Sequence, residues 1–380
     1  MAEGGKELED NSVRKDEDLL ENEEISMSSQ WELIWKRFRK HKLAMFAVGV
    51  LVVIYTLSIF CGFFSPYDPH NYDKGYMNAP PQRIRFFDDG EFNLRPFVYG
   101  YKSTRDPVTF RETFTTDKSK KYPIQFFYHG DTYEFLGFWE TDLHLFGVEE
   151  GKIFIMGADP LGRDLFSRIL YGARISTSIG FVGVFLSFTL GITLGGISGY
   201  YGGWVDMAIQ RSIEFLKSIP NIPLWMGLGA ALPSDWGVIQ IYFAITLILS
   251  LKGWTGMARE VRSKFMSLKE EDFVMSAELI GASKFRIIIH HMLPSFLSHI
   301  IASLSLAIPK MILGETSLSF LGLGIRPPAI SWGALLQNAQ KVRVISMAPW
   351  LLLPGLFVII TVLAFNFLGD GLRDAADPYS

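Results

Sequence analysis

"SAELIGASKFRIIIHHMLP" occupies residues 276–294, between two long apolar stretches. It holds Gly281 inside a helix-like pattern, then basic residues, two adjacent histidines and the closing Pro294. It is too polar for a bilayer and too regularly patterned for a linker. Just upstream, Ser267 and Glu270 form an S-x-x-E capping box, and Glu271 and Asp272 suit the positive start of a helix. The spacing predicts a helix over 268–280, ended by Gly281 in the left-handed conformation. A second short helix, "KFRIIIHH", follows and leads back to the membrane at Leu293 and Pro294, a proline that bundle neighbours can accommodate. The stretch reads as a helix–turn–helix on one membrane face.

The flanks explain why a membrane is involved. Of the 380 residues 49% are hydrophobic, concentrated in runs that a soluble core does not need. An uncharged helix of about 20 residues can cross a bilayer. Ala44–Phe64 and Ile175–Gly199 qualify, and Gly237–Leu251 is short but flanked by Trp236 and Trp254 as interface anchors. Met292–Leu313, blemished by His299 and Lys310, and Met347–Leu368 add two more. Asp206–Leu232 carries Asp206, Arg211, Glu214 and Lys217 in its first half and reads as a sixth span, kinked near Pro220 and Pro223. Arg211 and Glu214, three apart, are expected to pair. The first run is too long and too far from the N-terminus for a secretory signal. Cys61 is the single cysteine and excludes an intramolecular disulfide framework. A formal net charge of −3 gives no sign of a nucleic-acid partner.

Basic residues in short loops stay cytoplasmic. "WKRFRKHK" before the first span puts the N-terminus inside, and six spans put the C-terminus inside too. The 252–292 loop, with Lys252, Arg259, Arg262, Lys264, Lys269, Lys284 and Arg286, agrees. Residues 1–30 read as a disordered acidic tail, and 31–64 as an amphipathic helix (Trp31, Ile34, Trp35, Phe38) followed by the first span. Residues 65–170 form an extracytoplasmic domain too long to be a connection. "IRFFDDGEFNL" signals a hairpin at Asp89-Gly90, and "YPIQFFYHGDTYEFLGFWE" repeats the pattern around His129-Gly130-Asp131, so the domain is expected to be β-rich. His129 and His144 lack metal-site spacing and read as surface histidines. Arg163, Asp164, Arg168 and Arg174 read as structural or docking residues of the outer side. Residues 171–370 hold the remaining five spans and the 257–292 loop, and 371–380 form a cytoplasmic tail. No Walker A, dinucleotide, H-E-x-x-H or G-x-S-x-G pattern is present, so no chemistry and no cofactor is expected of the chain itself.

The 275–294 stretch resembles the coupling loop of ABC-importer permeases, E-A-A-x-x-x-G-…-H-x-L-P. Met275, Ser276 and Ala277 stand at the E-A-A positions, Gly281 at the glycine, and His291, Leu293 and Pro294 at the tail; the acidic first residue is replaced by Met275. "SPYDP" (65–69), "GADPLGRDLFSRILYGARIS" (157–176), "GETSLSFLGLGIRPPAISWGALL" (314–336) and "FNFLGDGLRDAADP" (365–378) resemble the dipeptide/oligopeptide/nickel permeases, second or C-type subunit. The resemblance covers residues 31–70 and 155–380.

That resemblance implies an all-α polytopic membrane protein with six transmembrane helices of the type I ABC importer kind, carrying an inserted extracytoplasmic β-rich domain. It implies a location in a bacterial or archaeal cytoplasmic membrane, with lipid around the spans. It implies as partners a paralogous permease, two ABC ATPase subunits and an extracytoplasmic solute-binding protein that delivers a peptide or oligosaccharide. Residues 268–290 would dock in a groove of the ATPase through Phe273, Met275, Ser276, Ala277 and Gly281, with Ala277 and Gly281 permitting close approach and His291 and Pro294 closing the motif. At the other face, Glu315, Arg326 and Trp332 are candidates for the path or its gate. For Glu315, a gate or structural pair and a charge at headgroup level remain open. A secondary transporter or channel would want ionisable residues at midspan or inverted repeats, and a membrane-anchored enzyme would want a catalytic constellation.

Overall fold

The computed structural model describes residues 30–88, 91–105, 107 and 112–376. The acidic N-terminal tail, the Asp89-Gly90 turn and the last four residues lie outside the described residues. The chain opens with α1 (Gln30–Lys40) and α2 (Lys42–Ile59). His41 separates them and caps α2 by accepting a hydrogen bond at Nδ1 from Ala44 N–H, 3.1 Å away. Phe38 is buried against Ala44 and Ala375, whereas Trp35 is exposed, as an amphipathic helix requires. α3 (Cys61–Phe64) is a single turn past a break at Phe60, and Cys61 is buried there.

Five strands follow. β1 (Arg85–Asp88), β2 (Glu91–Arg105) and β3 (Glu112–Pro123) form one antiparallel sheet, and β4 (Gln125–Phe135) and β5 (Trp139–Gly147) a separate hairpin. The second expected turn is corrected by the structure. β4 runs straight through His129-Gly130-Asp131, which form only a register irregularity, and the chain reverses at 136–138. Leu136 and Gly137 take φ +53° and +77° there, the left-handed pair that a tight reversal needs. Gly130 marks a bulge rather than a turn. His144 is also corrected. It is buried, with Nδ1 2.9 Å from Gly62 O and Nε2 2.8 Å from Asp131 O, so it ties β5 to α3 and β4. His129 is exposed and lies 2.9 Å from Asp142.

The helical part comprises α4 (Leu165–Tyr201), α5 (Gly203–Ser218), α6 (Asn221–Ala230) and α7 (Val238–Leu268). Next come α8 (Asp272–Leu279), the single turn α9 (Lys284–Arg286), a π-helical turn (Ile287–Met292) and α10 (Leu297–Phe320). α11 (Trp332–Gln337), α12 (Val342–Met347) and α13 (Leu353–Ala376) complete the chain. Among the described residues, five segments are long and apolar enough to cross a membrane: Lys42–Ile59, Leu165–Tyr201, Val238–Leu268, Lys284–Phe320 and Pro349–Ala376. The Asp206–Leu232 stretch is two helices, broken at Ile219–Pro220 rather than kinked, because proline cannot donate to the ladder and clashes with the preceding turn. Arg211 and Glu214 pair at 2.7 Å.

In lipid, helix association rests on close packing and hydrogen bonds more than on apolar transfer. The α4–α7 seam follows that rule. Gly191, Gly195 and Gly199 lie one turn apart on α4, and a Cβ on each would fall 2.9, 2.5 and 2.7 Å from the backbone oxygens of Trp254, Ala258 and Arg262. Asp206 on α5 is bound bidentately by Arg262 of α7, at 2.5 and 2.6 Å.

At the start of α4 the acidic and basic residues form a structural knot. Asp164 caps the helix, accepting from Ser167 N–H and Oγ–H at 2.7 and 2.6 Å. Asp159, itself buried, accepts from Leu161 N–H, Arg163 N–H and the Arg163 side chain. Arg168 donates to Pro69 O at 2.8 Å, which joins the 65–69 motif to the 157–176 motif.

Candidate functional site

Three polar or exposed features stand out, and the first is the stretch that opened the sequence reading. α7 continues through Ser267 to Leu268, so Ser267 ends one helix instead of capping the next, and Glu271 is the N-cap of α8. The capping-box expectation is therefore corrected: Ser267 lies in the last turn of α7 and Glu270 in the turn after it, whereas Glu271 and Asp272 do stand at the start of α8. At the other end of α8 the glycine reading stands. Gly281 has φ +78°, its N–H donates to Glu278 O at 3.0 Å, and Ala282 N–H donates to Ala277 O at 3.0 Å. These two bonds are a Schellman cap, which requires a left-handed residue. Ser283 then caps α9, accepting from Arg286 N–H.

The element has two faces. Val274 and Ala277 are buried in one cluster with Ile287 and Met292, which clips α8 to the bundle. Ala277 thus packs inward, and the close approach expected of it is to the bundle. Phe273, Met275, Leu279, Ile280 and Phe285 are exposed, Leu279 and Ile280 by 87% and 85%. Ser276 and Gly281 share the exposed side, His291 is half-buried and Pro294 is exposed at the return to α10. Tyr200 at the end of α4 donates to Glu278 at 3.0 Å, and Lys284 lies over the Tyr200 and Tyr201 rings, so the element is also held laterally.

The second feature lies at the opposite end of the bundle. Glu315, on α10, is fully buried. Ser176 Oγ of α4 donates to it at 2.9 Å and Ser319 Oγ at 2.7 Å. Each serine also accepts a backbone N–H, from Trp332 at 3.1 Å and from Ile325 at 2.9 Å. Through the two serines, one carboxyl group therefore links α4, α10, the middle of the 321–331 loop at Ile325 and the start of α11 at Trp332. Trp332 is fully buried and donates Nε1–H to Ile169 O at 3.1 Å, while Arg326 is half-buried at the loop's surface side. Irregular backbone of this kind is tolerable at membrane depth only when protein covers it. Glu315 is thus enclosed by protein rather than exposed at the surface.

The third feature was missed in the sequence. A cavity of about 500 Å³ opens between α4, the α5–α6 break, α7 and α10, lined among others by Lys217, Lys252, Lys310, Glu260, Asn221 and Trp225. Lys310 was visible only as a blemish in a span and Lys252 only as part of a loop bias. They converge only when the helices are packed.

A bundle with a broken helix beside a cavity and a glycine-capped helical turn at one end fits a membrane transport subunit. The chain belongs to the family described as binding-protein-dependent transport system inner membrane component, matched over residues 191–379. Residues 29–81 match the N-terminal TM domain of oligopeptide transport permease C. It is 32% identical over 350 residues to the dipeptide transport system permease protein DppC of Lactococcus lactis subsp. cremoris, covering 90% of this chain and 89% of that protein. It is 34% identical to the glutathione transport system permease protein GsiD of Escherichia coli, covering 92% and 90%. Against the oligopeptide transport system permease protein OppC of Haemophilus influenzae it is 43% identical, covering 60% and 71%. Among solved structures, a chain of the inward-facing MetNI methionine ABC transporter aligns with a TM-score of 0.43 at 17% identity, covering 55% of this chain and 95% of that one. The protein is a multi-pass inner-membrane permease subunit of an ABC importer.

Proposed function

We propose that this subunit carries peptides, as the names of its relatives suggest, and that α8 with the Gly281 turn is where an ATPase subunit docks. The observation that carries the docking reading is the exposed apolar row Phe273, Met275, Leu279, Ile280 and Phe285 on an element clipped to the bundle from behind. A rigid lever of this kind moves as a body when a partner grips it, because packed elements shift rather than deform. The chain does no catalysis and needs no cofactor. ATP is hydrolysed by two partner ATPases, a paralogous permease completes the path, and a binding protein delivers the solute.

On this reading α5 and α6 together make a sixth crossing. Both termini and α8 face the cytoplasm, where basic residues gather, and the strands of 85–147 face outward. Glu315, Arg326 and Trp332 then lie toward the outer end, where Glu315 and Trp332 brace the mouth of the path rather than gate it.

The test uses a chain in which Cys61 is replaced by alanine and single cysteines are placed at exposed Ser119, Ser283 or Ile280. In intact cells a membrane-impermeant thiol reagent should label Ser119→Cys and not Ser283→Cys. In the assembled importer, Ile280→Cys should cross-link to an ATPase subunit. Labelling of Ser283→Cys from outside overturns the orientation, and absence of the cross-link with the complex intact overturns the dock.

A further inference from the structure

The cavity between α4, α5–α6, α7 and α10 is where the structure says more than the family does. Its volume of about 500 Å³ falls within the roughly 300–1,000 Å³ of pockets that enclose small organic ligands. Three ammonium groups line it, on Lys217, Lys252 and Lys310, against the single carboxylate of Glu260. Charged side chains inside a membrane bundle are costly and face interior cavities that carry solute.

The partners of these groups separate structural roles from open ones. Lys252 Nζ donates to Ile219 O, the carbonyl freed where α5 breaks. Glu260 accepts from Ser303 Oγ at 3.2 Å and lies 3.5 Å from His299 Nε2. Lys217 and Lys310 lie within ion-pair distance of no carboxylate among the described residues. Trp225 Nε1–H is buried and has no acceptor. Among the groups lining the cavity, the buried indole N–H of Trp225 calls for an acceptor, and the two ammonium groups, exposed rather than buried and without a carboxylate partner among the described residues, pair best with carboxylate oxygens.

We propose that this cavity is a selectivity site for anionic solutes, favouring peptides that bear a carboxylate beyond the C-terminal one, with Lys310 and Lys217 as the recognition residues. Apolar walls from Phe188, Leu249 and Met311 leave room for the rest of the solute. The proposal rests on the peptide-permease reading above and adds a charge preference to it.

The experiment is uptake by the complete importer in proteoliposomes, with Ala-Ala-Ala, Ala-Glu-Ala and Ala-Lys-Ala as probes. Selection by the binding protein is the same for every permease variant, so it cancels when each variant's probe ratio is divided by that of the wild type. Lys310→Gln should lower the Ala-Glu-Ala to Ala-Lys-Ala ratio about tenfold, equivalent to about 1.4 kcal/mol. Lys217→Gln should lower it in the same direction, Lys310→Glu should lower it further, and Lys310→Arg should leave it unchanged. A ratio unchanged in Lys310→Gln and Lys217→Gln, whether or not total uptake falls, overturns the selectivity site and leaves the permease reading standing. If Lys310→Gln fails to accumulate, Lys217→Gln and Lys310→Arg decide. A wild-type importer that moves none of the three probes overturns the peptide reading, and the proposal falls with it.

Discussion

Glu315 and Lys310 sit on the same helix, less than two turns apart, and their surroundings could hardly differ more. Glu315 is walled in by two serine hydroxyls that themselves accept backbone N–H groups, so every partner serves the packing of α4, α10 and the 321–331 loop. Lys310 is exposed to the cavity and has no carboxylate within reach among the described residues. Both would be noted from sequence as charges in an apolar run. The difference teaches that an intramembrane charge declares its role through its partners. A satisfied one holds the fold together, and one beside a cavity with no carboxylate partner has, on the proposal above, a solute as its partner.

Mutations can break or sharpen that contrast. The largest effect is expected at Glu315. Glu315→Ala leaves the Ser176 and Ser319 hydroxyls without their acceptor in a dry site and opens a void, a loss of about 3 kcal/mol or more. Thermal unfolding of the detergent-solubilised protein should show it, and Glu315→Gln should recover about half, since one amide oxygen still accepts. Removing Asp159 comes next. Asp159→Ala frees Arg163 and Arg168 at the head of α4 and should cost about 2 kcal/mol in the same assay. Trp332→Phe keeps one aromatic ring but loses the Nε1–H bond to Ile169 O and part of the buried indole volume, so about 1–2 kcal/mol is expected. Lys310→Gln should shift unfolding least, within about 0.5 kcal/mol, while it changes which solutes pass. A Lys310 variant as unstable as Glu315→Ala would erase the distinction.

The helix–glycine–helix stretch was legible because its signals are local. Gly281 is one of the few positions where backbone conformation is written in residue type, and φ +78° agrees with that reading. The inward turn of Ala277 was less legible, since a short helix does not say which face its bundle will cover. The α8 start was misplaced because S-x-x-E at Ser267–Glu270 fits a cap as well as a helix end. The second hairpin was misread for a similar reason: Gly130 looked like a turn, yet Leu136-Gly137 reverses the chain. The enclosure of His144 depends on α3 packing against β5, and the lysine cavity on four helices converging. No window of sequence contains either.

Gly281 also provides the most direct test of coupling. An added Cβ there meets no atom within 4 Å, so substitution acts through backbone strain alone. Asparagine enters the left-handed region readily, whereas a β-branched residue is penalised by about 1–2 kcal/mol or more and would reset the angle between α8 and the turn that follows. The measurement is solute-stimulated ATP hydrolysis by the reconstituted importer carrying Gly281→Val or Gly281→Asn, at equal permease abundance. Stimulation should be lost with valine and kept with asparagine. Full stimulation and uptake with Gly281→Val would contradict the assignment of this element as the coupling lever.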